Sequence, residues 1–127
     1  MTAGIKDYIR HWQGSTVRFD LSRYSALVAA IGELEVNIRG LTDEEMLRRS
    51  GALRARALAG EPRAAVRVPF IALAREAARR ALGQRPFDEQ LIAALALDEG
   101  LVVEMLTGEG KTLTAVMPAA LGALAGR

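Results

Sequence analysis

Apolar residues recur at three- and four-residue steps along most of this chain, which is the spacing of helices with one buried face. Residues 5–12 set Ile5, Tyr8, Ile9 and Trp12 on one face and Lys6 and Arg10 on another. This is a short basic helix that packs on its own domain or, as the alternative, lies on a membrane surface. Val17, Phe19 and Leu21 then alternate with polar residues, as in an extended segment. From Ser22 to Ile38 the helical period returns, with Leu27, Ile31, Leu34 and Ile38 as the buried stripe and Gly40 as the stop. Thr42 and Glu45 form a capping box that opens a helix running to about Ala59, before Gly60, Glu61 and Pro62 end it.

Pro69 marks the first turn of the next helix, because a proline there loses no helical hydrogen bond. Its stripe is Ile71, Ala74, Ala78 and Leu82, its solvent face carries the pair Glu76 and Arg80, and Gly83 ends it. Asp88 is positioned to cap a further helix that turns Leu91, Ile92 and Leu95 inward and closes at Gly100. Residues 101–106, "LVVEML", are too short and too rich in branched apolar residues for a helix and predict a strand. A glycine loop at 107–110 follows, then a helix from about Lys111 that Pro118 should kink. The fold class is therefore mainly α with one short strand. A lone strand makes no sheet, so its neighbours are expected from outside this chain.

A chain of 127 residues holds one domain at most. Half its residues are hydrophobic and a quarter charged, the composition of a soluble globular protein. With no cysteine there is no disulfide framework and no thiolate chemistry. The single histidine, His11, has no companion ligand and reads as structural. The first residues lack the apolar core of a secretory signal. The longest apolar run, 113–125, is interrupted by Thr114, Pro118 and Gly122 and falls short of the roughly 18 residues a membrane span needs. A cytoplasmic location is expected.

The net charge of +2 hides a gradient. Residues 39–85 carry eleven arginines against five acids, and residues 86–127 carry two basic against six acidic side chains. The arginines lie at helical spacing and read as solvated faces, with an acidic partner, lipid or nucleic acid as the alternative. Fifteen of the seventeen basic residues are arginine, and one of the two lysines, Lys111, follows the glycine loop.

That loop reads "TGEGKT", Thr107, Gly108, Glu109, Gly110, Lys111 and Thr112. A strand, a glycine loop and a helix start direct backbone N–H groups and the helix dipole at one anion. Gly108 and Gly110 let the backbone approach phosphate oxygens, Lys111 reaches the outer phosphates, and the Thr112 hydroxyl is placed to hold Mg²⁺. The first glycine of the strict phosphate-loop pattern is replaced by Met105, leaving the tighter form of helicase-like motors. Upstream, Phe87 and Gln90 suit an adenine site: an aromatic ring packs on the purine and a glutamine amide pairs with N6 and N7. Without the loop, the same residues would read as an ordinary helix start.

The stretch from Arg75 to Leu124, "REAARRALGQRPFDEQLIAALALDEGLVVEMLTGEGKTLTAVMPAALGAL", resembles the start of the first nucleotide-binding domain of the SecA family, ATP-driven motors of preprotein translocation. "LTDEEMLRRSGALRARALAGE" resembles the helix before it, and "GQRPFD" is similar to accessory forms of the motor. The resemblance covers residues 22–127 and leaves 1–21 as an N-terminal extension. It implies the N-terminal part of a helicase-like, RecA-type P-loop α/β domain, with ATP and Mg²⁺ as cofactors. The implied ATP-binding residues are Phe87, Gln90, Thr107, Gly108, Glu109, Gly110, Lys111 and Thr112, the last also touching the metal. Gln84 stands where many members have methionine beside the adenine.

The resemblance further implies a cytoplasmic protein peripheral to the inner face of the cell membrane. The partners it implies are the SecY channel, SecA-like subunits or acidic lipid; nucleic acid is not expected. In that family the acidic pair that drives hydrolysis lies beyond residue 127, so hydrolysis is not expected from this chain alone. Asp98 and Glu99 precede the loop and read as a helix end. Two rival readings stand beside this one. One is a helical binding module with a vestigial loop that docks on a translocase subunit or an acidic membrane surface. The other is a small self-contained P-loop enzyme, although such enzymes carry the loop near the start of the chain.

Overall fold

The computed structural model describes residues 20–126. The expectations for residues 5–12, for His11 and for Val17 and Phe19 lie outside the described residues. Five helices follow one another: α1 (Ser22–Ile38), α2 (Asp43–Leu58), α3 (Arg63–Leu82), α4 (Asp88–Asp98) and α5 (Lys111–Leu124). Helix α3 packs against α1, α2 and α5, and α4 packs against α1 and α5. Ile31, Ile71, Leu91, Leu95, Met117 and Leu121 are removed from water at the centre, each worth about 1.5–3 kcal/mol of burial.

Helix α1 has the bounds its periodicity predicts, but its buried face is Tyr24, Ile31, Glu35 and Ile38, and Leu34 is exposed. The α2 capping box forms as expected. Thr42 Oγ1 accepts from Glu45 N (3.2 Å), and Glu45 Oε2 accepts from Thr42 N (2.7 Å). Helix α3 begins earlier than its second proline suggests. Pro62 stands at its N-cap and Pro69 lies inside it, held there by burial of Val66, Phe70, Ile71 and Leu73.

Two further expectations for α3 are corrected. Leu82 is 60% exposed, because it falls in the last turn beyond the packed surface. Glu76 is on no solvent face: it is fully buried and accepts from both Arg79 (2.8 Å) and Arg80 (2.7 Å). Burying a carboxylate is tolerable only with such pairing.

Asp88 is the first residue of α4, and Phe87 occupies the cap. Gly100, with φ +79°, turns the chain out of α4. The expected strand at 101–106 is absent: no strand occurs among the described residues. A strand exists only by exchanging backbone hydrogen bonds with another, and among the described residues no segment pairs with 101–106. Leu101, Val102 and Leu106 stand in solvent, Val102 fully, while Val103 packs against the helical core. Among the described residues the architecture is all-helical, and no helix is long and apolar enough to cross a membrane.

Candidate functional site

Segment 83–87, the start of α4, loop 107–110 and the start of α5 meet through one side chain. Gln90 is buried, in the first turn of α4. Its Oε1 accepts from Phe87 N (2.9 Å) and its Nε2 donates to the carbonyl of Glu109 (2.9 Å). The first bond is half of a capping box, Phe87 having no acceptor to complete it. The second ties the start of α4 to the glycine loop. Two of the amide's four hydrogen-bonding positions are thereby used, leaving one donor and one acceptor position.

Gly110 is what allows that approach. It has left-handed backbone at φ +76° and ψ +41°, and a Cβ there would collide with Gln90 Nε2. Gly108 is left-handed as well, at φ +88°. The loop also closes on itself: Leu106 O accepts from Glu109 N (3.3 Å) and from Lys111 Nζ (2.9 Å), and Glu109 Oε2 accepts from Leu106 N (2.7 Å). Thr107, Gly108, Glu109, Lys111 and Thr112 are all exposed.

At the head of α5, Thr114 N is the first amide to find a helical partner, Gly110 O at 3.1 Å, and the helix has no side-chain cap. The amides of Lys111, Thr112 and Leu113 have no partner among the described residues. Such amides, with the positive end of the helix dipole, favour an anion. Phe87 is 69% exposed. The structure thus joins Phe87, Gln90 and Glu109 by hydrogen bonds and sets Gly110, Lys111 and Thr112 at the head of one helix. Gln84 is exposed and bonded to nothing among the described residues.

Asp98 and Glu99 are committed elsewhere. Arg63 Nε donates to Asp98 (2.7 Å), Arg67 donates to Glu99 (3.0 Å), and Arg23 and Tyr24 also bind Glu99. Among the described residues no cluster of histidine, cysteine or carboxylate side chains could hold a metal by itself.

Beneath the site lies a buried ionic support that the helical periodicity does not announce. Arg75 is 1% exposed; its Nε donates to Pro86 O (2.8 Å), Nη2 to Asp88 Oδ1 (2.7 Å) and Nη1 to Glu35 Oε2 (3.4 Å). Glu35 accepts both arms of Arg85 (2.6 and 2.7 Å) and one of Arg39 (3.0 Å). The fork of Arg85, aided by Arg39 and Arg75, holds the Glu35 carboxyl down at about 2 against the opposing effect of burial. Arg75 is four residues after Ile71 and Glu35 four after Ile31, but that spacing neither singles Glu35 out from its neighbour Leu34 nor says which arginine meets which acid.

A family model for the SecA DEAD-like domain matches residues 9–127. The chain is 53% identical over 107 residues to protein translocase subunit SecA 2 of Rhodopseudomonas palustris (strain BisA53). It is 46% identical over 105 residues to the chloroplastic protein translocase subunit SECA1 of Arabidopsis thaliana. It is 48% identical over 107 residues to protein translocase subunit SecA of Thermotoga neapolitana. These alignments take in 84%, 83% and 84% of this chain and 13%, 10% and 12% of the respective relatives. The chain therefore spans about an eighth of the length of those relatives.

Proposed function

This chain belongs to the SecA DEAD-like domain family, and from that premise we propose that it binds Mg²⁺-ATP as the first part of a protein-translocating motor. The observation that supports this reading is the bond from Gln90 to Glu109, which ties the start of α4 to the glycine loop. The free amides at the head of α5, with Gly108 and Gly110, suit the phosphates. Lys111 is exposed and held by a single carbonyl, so its ammonium can leave Leu106 O for a phosphate oxygen. The Thr112 hydroxyl suits the metal, which would neutralise charge between the outer phosphates. Phe87 offers its exposed ring to the purine. Gln90 can read adenine with its remaining donor and acceptor positions while keeping both bonds it already makes.

The family's helicase-like fold would supply strand neighbours for residues 101–106, whose exposed apolar side chains suit a sheet completed from elsewhere. The relatives' names support a role in protein translocation, and the SecY channel is the partner we propose on that basis. Asp98 and Glu99, engaged by arginines, are assigned no part in hydrolysis, so the function proposed for this chain is binding.

Titration with a fluorescent ATP analogue and Mg²⁺ tests the reading. The expected result is saturable binding that Lys111→Ala weakens by roughly ten- to hundredfold, the worth of one charge-assisted contact. Absence of binding up to millimolar nucleotide would favour a docking module with a vestigial loop.

A further inference from the structure

We propose that Arg75 is the positioning residue for base recognition: its buried guanidinium fixes the backbone on both sides of Phe87 and so sets where the ring and Gln90 meet the glycine loop. The inference rests on the nucleotide-binding reading above and adds a residue outside the site itself.

Pro86 anchors segment 84–87 by burying its ring. No backbone–backbone hydrogen bond involves Gln84, Arg85 or Pro86 among the described residues. The hydrogen bonds that orient the backbone around that anchor come from side chains below. Arg75 Nε holds the carbonyl of Pro86, and Nη2 holds the carboxylate of Asp88, the residues immediately before and after Phe87. Its third nitrogen reaches Glu35, which also receives the fork of Arg85 from the same segment. Arg75 is 1% exposed and Phe87 69% exposed, so a rigid buried fork carries a solvent-facing ring.

From Phe87 the path continues without a gap. Its N–H holds Gln90 Oε1, and Gln90 Nε2 holds Glu109 O in the loop. A stability role alone does not account for this choice of residue, since a buried ion pair is often replaceable by apolar packing at no loss. The planar fork matters because it satisfies two acceptors at a fixed separation, which an ammonium on a flexible stem does not.

Calorimetric titration of the wild-type chain, Arg75→Lys and Asp88→Asn with Mg²⁺-ATP and with inorganic tripolyphosphate separates base from phosphate recognition. Thermal melting of each free protein reports folding. In Arg75→Lys the advantage of ATP over tripolyphosphate should fall about tenfold, with tripolyphosphate binding within about twofold of wild type. Asp88 is at the surface and removes only the outer arm, so Asp88→Asn should lose about threefold of the same ratio while melting like wild type; it decides the matter if Arg75→Lys does not fold. An unchanged ratio in folded variants overturns the proposal, as does a parallel loss for both ligands, the mark of a merely structural residue. A wild-type chain that binds tripolyphosphate no worse than ATP also overturns it, by removing base recognition. A wild-type chain that binds neither removes the nucleotide reading and this inference together.

Discussion

Glu35 is the residue on which the most charge converges. It lies in the core of α1 with Arg39, Arg75 and Arg85 around it. Its folded value of about 2 lies below the ordinary 4.5, so it binds a proton less readily folded than unfolded. Its stabilising contribution is therefore complete above about pH 4.5 and is lost as pH falls toward 2. Glu76, brought to about 2 by Arg79 and then Arg80, titrates in the same window. Glu35→Gln should cost about 3 kcal/mol at pH 7, the low end for a broken buried pair because Arg39 and Arg85 keep partial access to water. Urea unfolding at pH 7 and pH 3 checks this: the gap between variant and wild type should narrow at pH 3. Hydrophobic periodicity alone could not reveal the residue. Leu34 and Glu35 are neighbours, an apolar stripe favours the leucine, and only the arginines of α3 and segment 83–87 make the glutamate the buried one.

At the level of elements, boundaries with a side-chain signal were legible and boundaries set by packing were not. Thr42 and Glu45 announce the start of α2, and the structure closes both bonds. Thr42→Ala should lower stability by about 1 kcal/mol, read as a shift in the denaturant midpoint at unchanged slope. Helix α3 shows the opposite case. Pro62 and Pro69 both fit a helix start, and the earlier one wins because Val66 and Phe70 bury their side chains only if the helix already includes them. Residues 101–106 show the limit of local reading. Their composition is that of a strand, yet strand structure belongs to a pair, and the pattern of one segment says nothing about whether its partner is present. Loop 107–110 was legible because glycine, lysine and threonine are chosen there for backbone geometry and charge rather than for distant contacts.

For the whole molecule, the charge gradient turns out to be internal bookkeeping. The arginines of the middle segment are largely not waiting for an external acid. Arg63 and Arg67 pair with Asp98 or Glu99, Arg75 with Asp88, and Arg75 and Arg85 with Glu35, all acids from the flanking segments. Paired charges thus tie α3 and segment 83–87 to α1 and α4, and that frame holds the segment that leads into α4. The candidate site residues draw attention in the sequence because each carries its own chemistry. The frame under them could not, since it depends on which arginine meets which acid after folding.

In the nucleotide-binding reading proposed above, the head of α5 and the adjoining glycine loop hold the phosphates of ATP while Gln90 stays tied to that loop. Backbone amide resonances of the free chain, followed during addition of Mg²⁺-ATP, test it most directly. Saturable shifts centred on Gly108, Gly110, Lys111 and Thr112 and on the Gln90 side-chain amide are expected, with α2 unmoved. Shifts absent at millimolar nucleotide, or confined to the arginine-rich surface of α2, would contradict it.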